Sequence, residues 1–308
     1  MTKAPDIVVV GGHGVGQVIR VERFPAPGET VNSLSWDVSP DGGKGSNQAI
    51  AIGRLGCSVA FVGIVGRDAL GDLGDEWMRD AGVDTQHLLR SPAGATSTGI
   101  VIVDAEGQNS IINGDGPEDE LSADDVAVCV RDLAGARVLL TGFEIPTRTA
   151  LAAAKLGKDL GMTTVVNPAP APDEDMGDLS FVDVLVPNEG EARSIVDGDV
   201  AIDCPPEELA ERLRDFHKVA SVIVTLGAEG SLGLDADGVW RVEASRVPVV
   251  DSTGAGDAYC AALACGLVHD MGLRAASRWA SVVAALSVSK MGSIPSFPTI
   301  VEVTAFST

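Results

Sequence analysis

Six short runs place apolar residues in succession rather than in alternation: Ile7–Val10, Val59–Val65, Val138–Thr141, Thr164–Asn167, Val184–Val186 and Ser221–Thr225. Successive side chains on a strand point to opposite faces of a sheet, so such runs need cover on both faces. Helical patterns separate them, near residues 45–55, 70–81, 147–161, 189–196, 206–218, 256–269 and 273–290. This alternation predicts an α/β fold, a mainly parallel central sheet with helices on both faces. Two segments break the rhythm. Residues about 15–40 and 96–114 read as alternating strands, with turn signals at Ala26-Pro-Gly28 and Ala105-Glu-Gly107. No linker, internal repeat or low-complexity tract interrupts the chain, so residues 1–308 are expected to form one domain with these segments inserted.

The charge balance narrows the partners. A formal net charge of −22 repels nucleic acid and anionic lipid, so neither is an expected partner. An anionic ligand would then have to be held by local positive elements such as helix N-termini or a metal ion. The five cysteines (Cys57, Cys129, Cys204, Cys260 and Cys265) show no paired spacing, which predicts buried free thiols in a reducing, cytoplasmic setting. The N-terminal residues lead directly into the first strand, no signal peptide is expected, and no apolar run reaches membrane-spanning length.

Two motifs carry chemistry. In Asp251-Ser-Thr-Gly-Ala-Gly-Asp257, a turn of small residues lies between two carboxylates and opens directly into an apolar helix. Gly254, Ala255 and Gly256 leave backbone N–H groups uncovered at a helix N-terminus, where an anion is stabilised, and Asp257 stands beside them. Phosphoryl transfer needs both parts: donors for the moving phosphoryl oxygens and a base for the attacking hydroxyl. An Asp that only caps a helix is the simpler alternative, but a cap does not require the uncovered turn. The second motif, Gly42-Gly-Lys-Gly-Ser-Asn-Gln-Ala49, is not a Walker A loop, because Lys44 comes too early. Its glycines would let a polyol lie against the backbone, and Asn47 offers an amide to neutral hydroxyls. A third Gly-rich stretch, Gly11-Gly-His-Gly-Val-Gly16, lacks dinucleotide-loop spacing and is followed by a strand pattern. This disfavours an NAD-dependent oxidoreductase.

The glycine pair at Gly42-Gly43 and the late Gly254-Ala-Gly-Asp257 together resemble the two signatures of the ribokinase-like, or PfkB, carbohydrate kinase family. The resemblance spans nearly the whole chain, is nearest the ribokinase branch, and includes Phe24-Pro-Ala-Pro-Gly-Glu-Thr30, Asn167-Pro-Ala-Pro170, Pro187-Asn-Glu-Gly-Glu191 and Thr225-Leu-Gly227 in the family's order. It implies an ATP-dependent transferase that moves the γ-phosphoryl to a hydroxymethyl group of a pentose or related sugar, with Asp257 as base. It also implies that the two alternating segments form a small β-sheet lid over the sugar, often shared across a homodimer. A nucleoside or other furanoside kinase, and a non-catalytic sugar-binding relative, are the alternatives.

By the same resemblance, Gly42, Gly43, Lys44, Asn47 and Glu144 contact the sugar. Thr225, Gly227 and Gly230 hold the nucleotide, and Asn188 with Glu191 orders Mg²⁺ through water. Asp251, Ser287, Lys290, Gly292 and Ser296 fall in the loops that cage K⁺ in ribokinases. The departure lies at Gly14 and Gly16, where the family carries a sugar-binding Asn and Asp. His13 either substitutes for them or is structural. Asp257 is expected to behave as an ordinary, weakly basic carboxylate.

Overall fold

The computed structural model describes residues 4–196 and 204–306. A nine-stranded sheet runs through the molecule in the order β13-β12-β11-β10-β9-β8-β1-β4-β5. Its parallel part comprises β1 (Ile7–Val10), β4 (Val59–Val65), β5 (Val83–Arg90), β8 (Val138–Gly142), β9 (Thr163–Asn167), β10 (Val184–Leu185) and β11 (Ser221–Thr225). An antiparallel hairpin, β12 (Ser231–Asp235) and β13 (Gly238–Val242), closes one edge. The α/β architecture expected from the apolar runs is therefore present.

Consecutive apolar residues on β1 serve both faces. Ile7 and Val9 belong to a core formed with α1 (Gly43–Arg54), α2 (Ala69–Asp80), α7 (Ala255–Val268) and α8 (Leu273–Val288). Val8 and Val10 belong to a second core, with α3 (Ala123–Asp132), α4 (Thr147–Asp159), α5 (Glu189–Ile195) and α6 (Pro206–His217). Helix α7 has almost no polar face because it is buried nearly throughout and packs on both α1 and α8. Its Ala, Gly and Cys residues permit that close approach.

Several elements have no counterpart in the sequence pattern: β5, α3, the β12–β13 hairpin and the final helix α9 (Ile300–Phe306). Strand β5 is a sheet edge whose residues mix polar and apolar. Helix α3 is short and acidic, and is set by a reciprocal cap between Ser122 and Asp125.

The two alternating segments form a four-stranded sheet, β3-β2-β6-β7, made of β2 (Gly14–Val21), β3 (Ser33–Ser39), β6 (Ser97–Val103) and β7 (Asn109–Asn113). Gly28 and Gly107, in the predicted turns, both adopt positive φ. Register sorts the faces. Gly14 pairs with Ser97, Gly16 with Gly99 and Gly99 with Asn113, and these residues line one cavity. The opposite face carries Ile19 beside Trp36 and Ile102, and Ile100 beside Ile112. All five cysteines are buried and free. No helix among the described residues is long and apolar enough to cross a membrane.

Candidate active site

The sequence candidates converge at the carboxyl ends of the parallel strands, where open α/β sheets bind ligands. β1 leads to Gly11-Gly12-His13, β8 leads to Glu144, β9 ends at Asn167, β10 precedes Asn188 and β11 ends at Thr225. Backbone contact sets the glycines here. A Cβ on Gly45 would lie 2.6 Å from the Gly12 carbonyl oxygen, and one on Gly12 would lie 2.8 Å from Glu144 Cβ. The start of α1 therefore seats directly on the end of β1.

Helix α1 begins at Gly43, and its N-cap, Gly42, has no side chain to cap it. Glu144 does this from another element, with Oε2 accepting the Lys44 N–H at 2.6 Å. Burial, and then the nearby Asp257, raise the Glu144 carboxyl to about 7. Burial opposes the charge on Lys44, but the carboxylates of Asp257, Glu144 and Glu191 outweigh it and hold the ammonium above its ordinary value.

Asp257 lies in the first turn of α7, buried, and not on the cavity wall. Gln48 Nε2 donates to its Oδ1 at 3.1 Å and Asn47 Nδ2 to its Oδ2 at 3.3 Å. Gln48 is fixed in turn by Asn167 Oδ1 at 3.2 Å, and Asn167 donates to the Val186 carbonyl at 2.8 Å. Burial raises Asp257 to about 6, against the opposing pull of Lys44 and the two amides. This corrects the expectation of an ordinary, weakly basic Asp: little water reaches the group to solvate its charge.

Asn47 also departs from expectation. Its amide is committed to protein, with Oδ1 accepting the Gly42 N–H at 3.0 Å and Nδ2 donating to Asp41 at 2.8 Å as well as to Asp257. Gln48, Asn167 and Asp41 are site residues to which the motifs assigned no role. Their signal was adjacency to residues already singled out.

The turn before α7 is nearly as expected. Gly254 adopts φ +77°, and a Cβ there would lie 3.0 Å from both Phe297 and Ser293. The N–H groups of Gly254, Gly256 and Asp257 donate to no acceptor among the described residues. The Ala255 N–H, expected to be free, donates to the Ser252 carbonyl at 3.2 Å. Nothing lies within 4 Å of a Cβ built on Gly256, so that edge of the turn is open.

The remaining candidates occupy three places. Asn188 and Glu191 cap each other at the start of α5, each side chain accepting the other's N–H at 2.8 Å. Burial raises the Glu191 carboxyl, against the Asn188 hydrogen bond and Lys44. Thr225 is followed by the turn Gly227–Glu229, in which Gly227 and Gly230 take positive φ. Asp251 accepts from Thr253 with Oδ1 and from the Gly292 N–H with Oδ2 at 2.9 Å. Ser287 and Ser296 are fully buried, and their hydroxyls return to the Ala284 and Ser293 carbonyls. The Lys290 ammonium pairs with Glu302 at 2.7 Å.

His13 is buried, with Nδ1 2.8 Å from Ser46 Oγ and its ring against Gly74 of α2. Desolvation lowers it to about 4, so the ring is neutral at physiological pH.

Beside these groups lies a cavity of about 480 Å³, floored by Gly43, Lys44, Asp41 and Glu144 and roofed by the small sheet. Residues 5–300 match the model of the pfkB family carbohydrate kinases. The chain belongs to that family. It is an ATP-dependent carbohydrate kinase, and the layered arrangement above is the family's fold. Ribokinase of Haemophilus influenzae is 32% identical over 97% of each chain. Deoxyribokinase of Salmonella typhi is 31% identical over 96% of each. The ribokinase of Arabidopsis thaliana, solved in complex with ribose and ATP, superposes with a TM-score of 0.86 at 30% identity, covering 98% of each chain.

Proposed function

We propose that this kinase transfers the γ-phosphoryl of ATP to the hydroxymethyl group of a pentose or closely related furanose. The observation that carries the reading is the buried Asp257 beside the unpartnered N–H groups of Gly254, Gly256 and Asp257, next to a polar cavity of sugar size. The kinship with enzymes named ribokinase and deoxyribokinase supports the same substrate class.

Asp257 accepts the hydroxyl proton as transfer proceeds. A carboxylate pushed up to about 6 is still ionised at neutral pH and is a stronger base than an exposed Asp. Gln48 and Asn47 hold it in one rotamer. The free amides of the turn meet the charge on the phosphoryl oxygens, and Lys44, which forms no ion pair among the described residues, adds a cation at the cavity floor. The strand end at Thr225 and the turn at Gly227, where nothing lies within 4 Å of an added Cβ, offer open backbone for the nucleotide, and Gly230, packed against the Val242 carbonyl, shapes that turn.

Among the described residues no three His, Cys, Asp or Glu side chains converge to hold a metal. Glu191, with Oε2 on the Asn188 N–H and Oε1 without a hydrogen-bond partner among the described residues, fits a Mg²⁺ that keeps its hydration shell. Bound there with the nucleotide, Mg²⁺ neutralises phosphate charge. For K⁺, the Asp251 turn, the end of α8 at Ser287 and the following segment with Gly292 and Ser296 supply the backbone oxygens. Trp36, 62% exposed, and its neighbours Leu34, Val38 and Ile112 form an apolar face on the small sheet away from the cavity. A second copy of the chain covers that face in this reading.

ADP release measured across pentoses, hexoses, sugar phosphates and nucleosides tests the proposal. Sugar-dependent release with a pentose is expected, and its absence with every pentose would overturn it. The side-chain-free stretch Gly14, Gly16 and Gly99 favours one second reading, a furanoside with a ring substituent, which the nucleoside arm detects.

A further inference from the structure

Asp41 immediately precedes the glycine pair and lines the cavity. Its Oδ1 is fixed by the Gly43 N–H at 3.2 Å and Asn47 Nδ2 at 2.8 Å. Its Oδ2 accepts no hydrogen bond among the described residues. One oxygen is thus anchored and the other is uncommitted, in a half-buried position where an acceptor without a donor is unfavourable.

The residue facing it is as telling. Gly16 on β2 donates its N–H to the Asp41 carbonyl at 3.1 Å, and a Cβ on Gly16 would lie 3.2 Å from Asp41 Cβ. Gly16 has no left-handed φ to explain its glycine. The missing side chain instead allows Asp41 this close approach, and both residues line the cavity. The same amide nitrogen of Asn47 that holds Asp41 also donates to Asp257, so one side chain sets the position of this carboxylate relative to the base.

We propose that Asp41 is a specificity-determining residue whose Oδ2 accepts a ring hydroxyl of the substrate in the cavity that Asp41 and Gly16 both line. The inference rests on the sugar-kinase reading above and deepens it. With Asp115, Glu118, Asp119 and Glu144 also on the cavity wall and Lys44 as its single Lys or Arg among the described residues, the pocket selects a neutral polyol and rejects sugar acids and sugar phosphates.

The test uses the full chain, ATP, the best sugar found for the wild type and its singly deoxygenated analogues. Asp41→Asn keeps an acceptor for Gly43 and Asn47 and replaces the free oxygen by a donor, so it is the variant expected to fold. Asp41→Ala is run beside it, with thermal melting to check both. KM for the sugar should rise about 10–100-fold in each, as for loss of a charged hydrogen bond, with KM for ATP unchanged. One deoxy analogue should be penalised in the wild type and carry no further penalty in Asp41→Ala. If every deoxy analogue loses the same factor in wild type and variant, Asp41 only braces the loop and the inference falls while the kinase reading stands. Efficient turnover of a sugar phosphate by the wild type would also overturn it. Absence of turnover by the wild type on any sugar would overturn both.

Discussion

Replacing Asp257 by Asn tests catalysis and stability together, and the two should move in opposite directions. The folded carboxyl sits at about 6 and its ordinary value is 3.8, a difference worth about 3 kcal/mol in favour of the protonated form. A raised carboxyl costs stability once it is ionised. The cost is absent below the unfolded value of 3.8, grows as pH rises between the two, and is complete above about 6. Asn carries no charge and removes that cost, but it must turn an N–H₂ toward Asn47 or Gln48, both already donors, losing about 0.5–1.5 kcal/mol. The variant should therefore be more stable than wild type at pH 8 by roughly 1.5–2.5 kcal/mol, a few degrees in Tm, and less stable at pH 4. Turnover at pH 7.5 should fall about 10²–10⁴-fold, the range for a lost general base. Wild-type kcat/KM should drop about tenfold per unit of pH below 6, and the variant's residual activity should not. Coupled ADP release from pH 5 to 8, with melting curves at pH 4 and 8, reads all of this. Near-normal turnover by the variant, or a wild-type rate flat from pH 7 to 5, would refute the assignment of the base.

Gly74→Ala places a methyl group into the buried His13 ring and should lower Tm by several degrees through overpacking of about 1–3 kcal/mol; an unchanged melting curve would mean His13 is free to move. Gly254→Ala, strained at φ +77° and tight against Phe297 and Ser293, should reduce kcat at least tenfold, whereas Gly256→Ala, which meets nothing, should leave the fold intact; equal behaviour of the two would argue against an anion turn shaped by Gly254. Activity in Tris should rise with KCl and not with a tetraalkylammonium salt if the loops of Asp251 and Gly292 hold K⁺, and identical rates would exclude a working site. Trp36→Glu should convert a dimer to monomers in light scattering, and a wild type that is already monomeric would end the proposal of a shared lid.

The central layers were legible in the sequence because a buried parallel strand must be apolar on both faces. Ile7–Val10, Val59–Val65 and Ser221–Thr225 were bounded by that requirement alone. The turn at Gly254–Asp257 was legible for a related reason: an anion site at a helix start needs small residues in a fixed local order. Elements held by remote contacts were not. The hairpin Ser231–Val242 is a sheet edge, and α3 starts from a polar cap, so neither needs a long apolar run. The electrostatics were also beyond local pattern. Asp257 is raised to about 6 by helices and strands distant in sequence, and its amide partners lie about 210 residues away in the chain. The role proposed for Asp41 appeared only when Gly16 was seen packed closely against it on the cavity wall, because chain order does not say which side chains will meet there. Local order chose the uncovered turn and the carboxylate of Asp257, and tertiary packing decided how much water reaches them and therefore how basic Asp257 is.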